Sequence, residues 1–157
     1  MIQELDDIRE IIFEQEKFGG YGTGVGLNHV FFCTLGGHAY AVFLAELFGI
    51  GRKDSESVFR YVLYDAERGV CIPHETPEYD ALTGDFPKTD GIRIEIAGKD
   101  VETLLALEDI PDHFAGAFCT NGAFSPAERA EYDDYLQKMR ALATPSLRVI
   151  YDYFSAK

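Results

Sequence analysis

Residues 18–45 read FGGYGTGVGLNHVFFCTLGGHAYAVFLA, a run that contains no Asp, Glu, Lys or Arg in an otherwise heavily charged chain. Its first part is rich in glycine, and the sequence from Leu27 to Phe48 is nearly continuously apolar, broken by Gly36-Gly37 and a few polar side chains. Leaving such side chains in water costs about 25 cal/mol per Å² of apolar surface. The remaining elements must therefore pack against residues 27–48.

The glycines between Gly20 and Gly26 do not form a nucleotide-binding loop. No three of them have the G-x-G-x-x-G spacing, because position 25 is Val and position 27 is Leu. The run also follows a predicted helix, whereas a dinucleotide-binding loop follows a strand, and it lacks the Gly-Lys-Ser/Thr ending of a P-loop. We interpret the run as a flexible connector, or as backbone packed closely against aromatic neighbours.

The apolar sequence after these glycines predicts a β-hairpin. Leu27–Leu35 is typical of a buried strand, and Gly36-Gly37 is typical of a two-residue hairpin turn. His38–Phe48 fits either the returning strand or a helix that ends at Gly49, and we favour the strand because a double glycine between apolar runs indicates a turn.

Further along the chain, turn-separated apolar runs predict more strands. Val58–Tyr64, a turn at 65–69 and a return over Val70–Pro73 indicate a second hairpin. Ile92–Ile96 alternates isoleucine with charged residues, which indicates an antiparallel strand with one face in water. Between them, 75–91 is acidic and contains prolines and glycines, and we interpret it as a long polar loop.

Four stretches predict helices. Residues 2–17 have isoleucine and leucine at helical spacing with acids on the other faces, and Asp100 can cap a short helix through Leu107. Ser125-Pro126-Ala127-Glu128 combines a cap, a first-turn proline and a capping-box glutamate, and Thr144-Pro145 repeats the first two features. In the helix that Thr144-Pro145 starts, helical spacing puts four residues on one face: Leu147, Ile150, Tyr151 and Phe154. We therefore predict a single α+β domain over residues 1–157, with a mostly antiparallel central sheet, an N-terminal helix and two C-terminal helices.

The composition limits the classes of function that the protein can have. The net charge of −13 is spread along the chain, so we expect no direct binding to nucleic acid or to anionic membranes and faster encounter with basic partners. Three widely spaced cysteines indicate reduced thiols in a cytoplasmic protein. The acidic N-terminus lacks the features of a secretion signal, and the polar residues within 27–48 argue against a membrane span.

Histidine and cysteine residues supply the candidates for chemistry. A zinc site could draw on His29, Cys33, His38, Cys71 and His74, but their spacing matches no standard zinc motif, and we expect neither a metal nor another cofactor. A cysteine nucleophile could be Cys33 with His38, or Cys119 near His113 and Asp112. Neither thiol lies in a recognisable catalytic motif, so a catalytic role for these residues remains an alternative.

Acidic side chains supply the candidate for binding. Carboxylates interleaved with tyrosine suit a basic protein surface, because tyrosine provides contact area and the acids provide steering. The predicted partner-binding residues are Asp6, Asp7, Glu10, Glu128, Glu131, Tyr132, Asp133, Asp134 and Tyr135. The predicted loop adds Glu75, Glu78, Asp80, Asp85 and Asp90.

The leading hypothesis is a small acidic cytoplasmic protein, without catalysis, that binds a basic protein. An immunity protein for a nuclease toxin and an anti-defence inhibitor are concrete forms of it. The alternative is a small-molecule-binding or cysteine-dependent hydrolytic domain, with a pocket rimmed by the glycine-rich segment and residues 114–124. The sequence leaves the oligomeric state open.

Overall fold

A computed structural model of the chain describes Glu10, Glu14, residues 24–48, residues 58–89, Phe118 and residues 122–155. Within these residues, four strands form one antiparallel sheet in the order β1-β2-β3-β4. The strands are β1 (Gly24–Leu35), β2 (His38–Phe48), β3 (Val58–Asp65) and β4 (Val70–Cys71). The helices of the described ranges are α1 (Pro77–Thr83), α2 (Pro126–Leu142) and α3 (Pro145–Ser155). The predicted α+β fold with an antiparallel sheet is confirmed.

The first two strands form the predicted hairpin, and residues 38–48 are a strand and not a helix. Gly36 and Gly37 have φ angles of 58° and 85°, the left-handed values that a two-residue turn of this kind requires and that glycine adopts without strain. The strand also begins earlier than predicted, because Gly24 pairs with Phe48 and Gly26 pairs with Glu46. This part of the glycine-rich run is therefore paired backbone and not a connector.

Both faces of the sheet are buried. Residues paired across strands share a face, so Phe31, Val42 and Leu63 lie on one face and Val30, Phe43 and Val62 lie on the other. Each of these six side chains is at most 7% exposed. Along the buried stretch of each strand a charged side chain could not reach water, which accounts for the uncharged sequence there.

Helix α3 covers the face that carries Phe31. The ring of Phe31 stacks on Phe154 at a centroid distance of 4.4 Å and meets the edge of Tyr151 at 4.9 Å. The buried side chains of this helix are those predicted from helical spacing: Leu147, Ile150, Tyr151 and Phe154. Aromatic pairs in these geometries add attraction beyond the area they bury, so the helix is held by specific ring contacts.

Helix α2 precedes α3 and is joined to it by an ion pair. It begins with the predicted capping box, in which the Glu128 N–H donates to Ser125 Oγ and the Ser125 N–H donates to Glu128 Oε1. Arg140 Nε donates to Asp152 Oδ1 on α3 at 2.6 Å. The two predicted C-terminal helices are therefore both present.

The outer edge of β3 is closed largely by side-chain hydroxyls. Beyond the short β4 pairing, the Ile72 N–H donates to the Leu63 carbonyl at 2.9 Å. The next carbonyls along this edge, those of Tyr61 and Phe59, accept from the Tyr79 hydroxyl at 2.6 Å and the Thr89 hydroxyl at 3.0 Å. Unpaired strand edges favour association with other chains, and these hydroxyls occupy the acceptors that such pairing would use.

The edge of β1 carries a similar contact. The Phe32 backbone N–H donates to the hydroxyl oxygen of Tyr132 on α2 at 2.9 Å, and both residues are buried. A buried N–H without an acceptor costs about 1–3 kcal/mol, so this hydroxyl removes a penalty that the edge would otherwise carry.

The interpretation of 75–91 as a loop is wrong over its first half, where α1 lies. Thr76 Oγ1 accepts from the Tyr79 N–H at 3.2 Å, and Pro77 occupies the first helical position. This is the Thr-Pro start that correctly predicted α3 at Thr144-Pro145. The helix is only seven residues long, so it shows too little periodicity to be recognised by pattern.

Three predicted elements fall outside the described residues. They are most of the helix at 2–17, the strand at Ile92–Ile96 and the helix from Asp100 to Leu107. Within the first of them, Glu10 and Glu14 have helical backbone and exposed side chains.

We expect Tyr79→Phe and Tyr132→Phe each to lower the free energy of unfolding by about 1–2 kcal/mol, because each leaves a strand-edge group without its hydroxyl partner while keeping the ring. Urea unfolding monitored by circular dichroism measures the change. Val149→Ala is the control, since Val149 is 58% exposed and its truncation should cost under about 0.5 kcal/mol. Equal stability of all three variants would contradict a role for the edge hydroxyls.

Candidate functional site

The described acidic excess is concentrated between Asp65 and Asp85. This segment contains six carboxylates and one arginine. Five of the carboxylates are exposed and form what we call the acidic patch: Glu67, Glu75, Glu78, Asp80 and Asp85. The patch covers the turn between β3 and β4, the start and body of α1, and the residue that follows its C-terminal glycine.

The sixth carboxylate, Asp65, is fully buried and braces the turn. Its Oδ1 accepts from the backbone N–H groups of Glu67 and Arg68, and its Oδ2 accepts from Arg68 Nε at 2.6 Å. Burial acts to raise the pKa of Asp65, but these hydrogen bonds outweigh it and the pKa is lowered. Asp65 is therefore ionised at neutral pH and serves the fold.

Arg68 ties the turn to α1. Its terminal NH2 group donates to Glu78 while its Nε donates to Asp65, so the guanidinium bridges two carboxylates. The single arginine of the segment is thus committed to internal contacts. The exposed carboxylates around it keep their negative charge facing water.

His38 lies at the edge of the patch. Its Nδ1 is 2.6 Å from Glu67 Oε2, and the two side chains are 52% and 51% exposed. The imidazole is therefore held by a carboxylate of the β3–β4 turn. Cys33 is buried and pairs across the hairpin with Tyr40, so the structure gives the Cys33–His38 nucleophile no support.

The predicted acidic face of α2 has less unpaired negative charge than we expected from its sequence. The helix contains four carboxylates and three basic residues. Asp133 pairs with Arg129 at 3.2 Å and Asp134 pairs with Lys138 at 2.8 Å, while Glu128 belongs to the capping box. Glu131 is exposed. These local pairs leave α2 with a smaller surplus of negative charge than the acidic patch.

The tyrosines predicted to lie among these acids are core residues instead. Tyr132 is 2% exposed and Tyr135 is 6% exposed, and burial raises the pKa of each. They share the helix face of Leu136 and Met139, so they follow the helical spacing of the core. Neither offers contact area to a partner. Of the N-terminal acids, Glu10 is exposed, while Asp6 and Asp7 lie outside the described residues.

A pocket of about 260 Å³ opens beside the β1–β2 turn. Its walls are aromatic rings and small side chains, with a thiol, a hydroxyl and a guanidinium among them: Phe32, Cys33, Thr34, Ala39, Phe118, Gly122, Ala123, Phe124 and Arg129. It includes part of the 114–124 stretch that we predicted to rim a pocket. It does not include Gly24–Gly26, which pair at the other end of the hairpin.

Gly122 lies next to the two alanines at the junction of β2 and β3. Gly122 has a φ of 68°, and a Cβ at this position would lie 3.4 Å from the Ala66 Cβ and 3.6 Å from the Ala39 Cβ. Its N–H donates to the Phe118 carbonyl at 2.6 Å. These are ordinary van der Waals distances, so it is the left-handed φ that favours glycine at this position.

The histidine and cysteine candidates do not converge in the described ranges, where no group of three or more His, Cys, Asp or Glu side chains could hold a metal ion. Cys33 and Cys71 are buried. His74 lies 3.9 Å from Glu75. Cys119, His113 and Asp112 lie outside the described residues, so the second nucleophile hypothesis stays a prediction.

His29 forms a buried polar pair with Tyr151. His29 Nδ1 and the Tyr151 hydroxyl are 2.6 Å apart across the interface between β1 and α3. Burial lowers the pKa of His29 to about 4 and raises that of Tyr151, so both groups are neutral near pH 7. A neutral imidazole with a hydroxyl partner is compatible with the uncharged core. The pair therefore serves stability.

The His29 pKa predicts acid sensitivity. Between pH 6.5 and 4 the unfolded chain binds a proton at His29 that the folded chain excludes, so stability is full above pH 6.5 and falls by about 3 kcal/mol as the pH drops to 4. Urea unfolding of the wild type and of His29→Gln, which cannot titrate, measures the difference. Parallel pH profiles for the two proteins would contradict the buried neutral histidine.

Comparison with known proteins finds no relative of the chain. It matches no protein-family model, no curated protein and no solved structure. Helices of the described ranges are all too short or too polar to cross a membrane. The function must be argued from the site. Sequence reasoning missed Glu67 and Arg68, because the turn at 65–69 was recognised as a turn without regard to its charges.

Proposed function

We propose that the protein is a small cytoplasmic binding protein that engages a basic protein partner by charge complementarity. A nuclease toxin or another nucleic-acid-binding protein is the kind of partner that this chemistry fits, and inhibition or immunity is the corresponding role. The acidic patch is the contact surface. Catalysis by the protein itself is not part of the proposal.

The observation that carries the proposal is the local charge imbalance of residues 65–85. Six carboxylates share one arginine, and that arginine is bound between Asp65 and Glu78. The remaining acids therefore act together on an approaching charge, whereas those of α2 are partly neutralised by Arg129 and Lys138. Fields of clustered like charge steer association and select partners of opposite sign.

The mechanism is occlusion. Nucleic-acid-binding proteins present grooves of Lys and Arg that neutralise phosphates. Carboxylates on a rigid surface pair with these Lys and Arg side chains in place of the phosphates. The bound protein then blocks the groove. The short α1 and the turn braced by Asp65 hold the patch on the sheet, so the charges are positioned before binding.

Neutralising the patch should weaken binding. We expect the combined variant Glu67→Gln, Glu75→Gln, Asp80→Asn and Asp85→Asn to lower affinity for the partner at least about tenfold at low salt, because four exposed charges contribute a few tenths to about 1 kcal/mol each. The partner is a basic protein recovered from host lysate on the immobilised chain, released by a salt gradient and identified by mass spectrometry. Calorimetry then measures its affinity for each variant.

The matched control neutralises the α2 face. Glu131→Gln, Asp133→Asn and Asp134→Asn together should change affinity less than about threefold, because two of the three acids are already paired with basic residues. Wild-type affinity should fall as salt rises, since the screening length is about 10 Å at 0.1 M. Equal losses in both variants would place the contact elsewhere, and salt-independent binding would contradict charge complementarity.

The pocket favours a second candidate function, that of a small-molecule-binding or cysteine-dependent hydrolytic domain. Its walls include Cys33, and 118 and 122–124 belong to the stretch predicted to rim such a site. A hydrolase needs a thiol that reacts in the folded protein and a base within hydrogen-bond reach. Cys33 is 7% exposed, which disfavours attack on a bound substrate.

Thiol labelling separates the two candidates. We expect iodoacetamide to modify Cys33 and Cys71 in the native protein at least about a hundredfold more slowly than in the urea-unfolded chain, because both are buried. Mass spectrometry of peptic fragments assigns each modified residue. Rapid native labelling of Cys33, slowed by His38→Gln, would instead support the hydrolytic candidate.

A further inference from the structure

The pocket beside the β1–β2 turn has an aromatic wall. The Phe32 ring lies 4.3 Å from that of Phe118 and 4.9 Å from that of Phe124, and the last two rings are 5.6 Å apart. Small residues, Ala39, Gly122 and Ala123, complete the lining and leave the space open. Phe32 and Phe118 are buried, so the half-buried Phe124 is the ring of this wall that a ligand can contact most fully, by edge or face.

Its volume limits what can enter. The pocket encloses about 260 Å³. An apolar protein cavity of about 150 Å³ holds one benzene molecule, whereas sites for drug-sized ligands start near about 300 Å³. The pocket is open to solvent, so one aromatic ring fits inside it while the atoms that attach the ring extend out of its mouth.

The charge around the pocket argues against an anionic ligand. Arg129 lines it, but this guanidinium pairs with Asp133 at 3.2 Å and lies 5.5 Å from the centroid of the Tyr132 ring. A ligand anion would have to compete with that carboxylate, in a protein whose net charge is −13. The ring that enters is therefore uncharged.

The pocket adjoins the acidic patch. Ala39 lines the pocket and accepts at its carbonyl from the Ala66 N–H at 3.1 Å, and Gly122 packs on both alanines. Their chain neighbours, His38 at the start of β2 and Glu67 in the β3–β4 turn, form the 2.6 Å contact at the edge of the patch. One residue thus separates the pocket from the first carboxylate of the acidic patch.

We propose that this pocket receives one aromatic side chain of the basic partner, carried in a segment that has Lys or Arg next to the aromatic residue. The inference rests on the proposed function and adds to it the partner's chemistry. Buried aromatic anchors supply most of the affinity at protein interfaces, and the charged rim supplies orientation. The cationic neighbours of the anchor meet Glu67 first and then the rest of the patch.

The test uses the intact chain, labelled for amide NMR, and three probes at low salt. The probes are the capped peptides Lys-Lys-Phe-Lys-Lys and Lys-Lys-Ala-Lys-Lys, matched in charge, and N-acetylphenylalanine amide, which has the ring without the charges. We expect the phenylalanine peptide to bind about tenfold more tightly than the alanine peptide, because an open pocket buries part of a ring. Amide shifts should change at Thr34, Gly122 and Ala123 with the phenylalanine peptide alone.

A pocket-filling variant tests the location. Ala123 is exposed and lines the pocket, so Ala123→Leu should remove the tenfold preference for phenylalanine and leave binding of the alanine peptide unchanged. Ala141→Leu is the matched control, since Ala141 is exposed near the far end of α2, and it should preserve the preference. Loss of the preference in both variants would overturn the assignment to the pocket.

The outcomes separate this inference from the function on which it rests. Equal affinity for the two basic peptides, with shift changes confined to 67–85, overturns the pocket and leaves the basic partner standing. Absence of binding by either basic peptide overturns both. If the neutral amide binds as tightly as the phenylalanine peptide, the partner assignment is wrong and the pocket is a site for a free aromatic molecule.

Discussion

Burial of the β1–β2 hairpin on both faces is the constraint on which the rest of the structure depends. Phe31 and Val42 face α3, while Val30 and Phe43 lie on the opposite face with equally little exposure. The buried stretch of each strand therefore excludes charge, and the acids and bases of the described strands lie towards their ends, as Glu46, Arg60 and Asp65 do. Within the described residues the edges of the sheet are where its backbone can meet water. At the edges, backbone groups need partners, and hydroxyls from Tyr79, Thr89 and Tyr132 supply them.

This constraint also sets where the pocket and the acidic patch lie. The hairpin turn and the β3–β4 turn emerge side by side, because Ala66 bonds to Ala39 at the ends of β3 and β2. The pocket lies on one side of that junction and the acidic patch begins on the other. Apolar recess and charged rim are neighbours because the same antiparallel register that buries the core brings these two turns together.

Where local chemistry determines structure, the sequence was sufficient. The double glycine predicted the hairpin turn, Ser125 and Thr144 predicted two helix starts, and spacing identified the buried face of α3. Prediction failed where tertiary contacts decide. Tyr132 reads as a surface residue between charged neighbours, yet its hydroxyl serves a strand edge 100 residues away in sequence. The pocket combines residues of β1, β2, α2 and the segment before α2. The local sequence around Phe32 or Arg129 does not indicate that these residues lie together.

The carboxylates of this protein therefore have different structural roles. Asp65 is buried, and its lowered pKa follows from hydrogen bonds that hold the β3–β4 turn, so its charge belongs to the fold. Asp133, Asp134 and Asp152 are exposed and pair with basic residues of the two C-terminal helices, so their charges are largely neutralised within the chain. Glu67 and Glu75 are exposed and, in the part of the chain that the structure describes, have only histidines beside them, at 2.6 Å and 3.9 Å, because the one arginine of the segment is bound to Asp65 and Glu78. Net charge reports the sum of all these groups, but the field outside the protein is strongest where acids outnumber bases locally, and in the described residues that is the acidic patch.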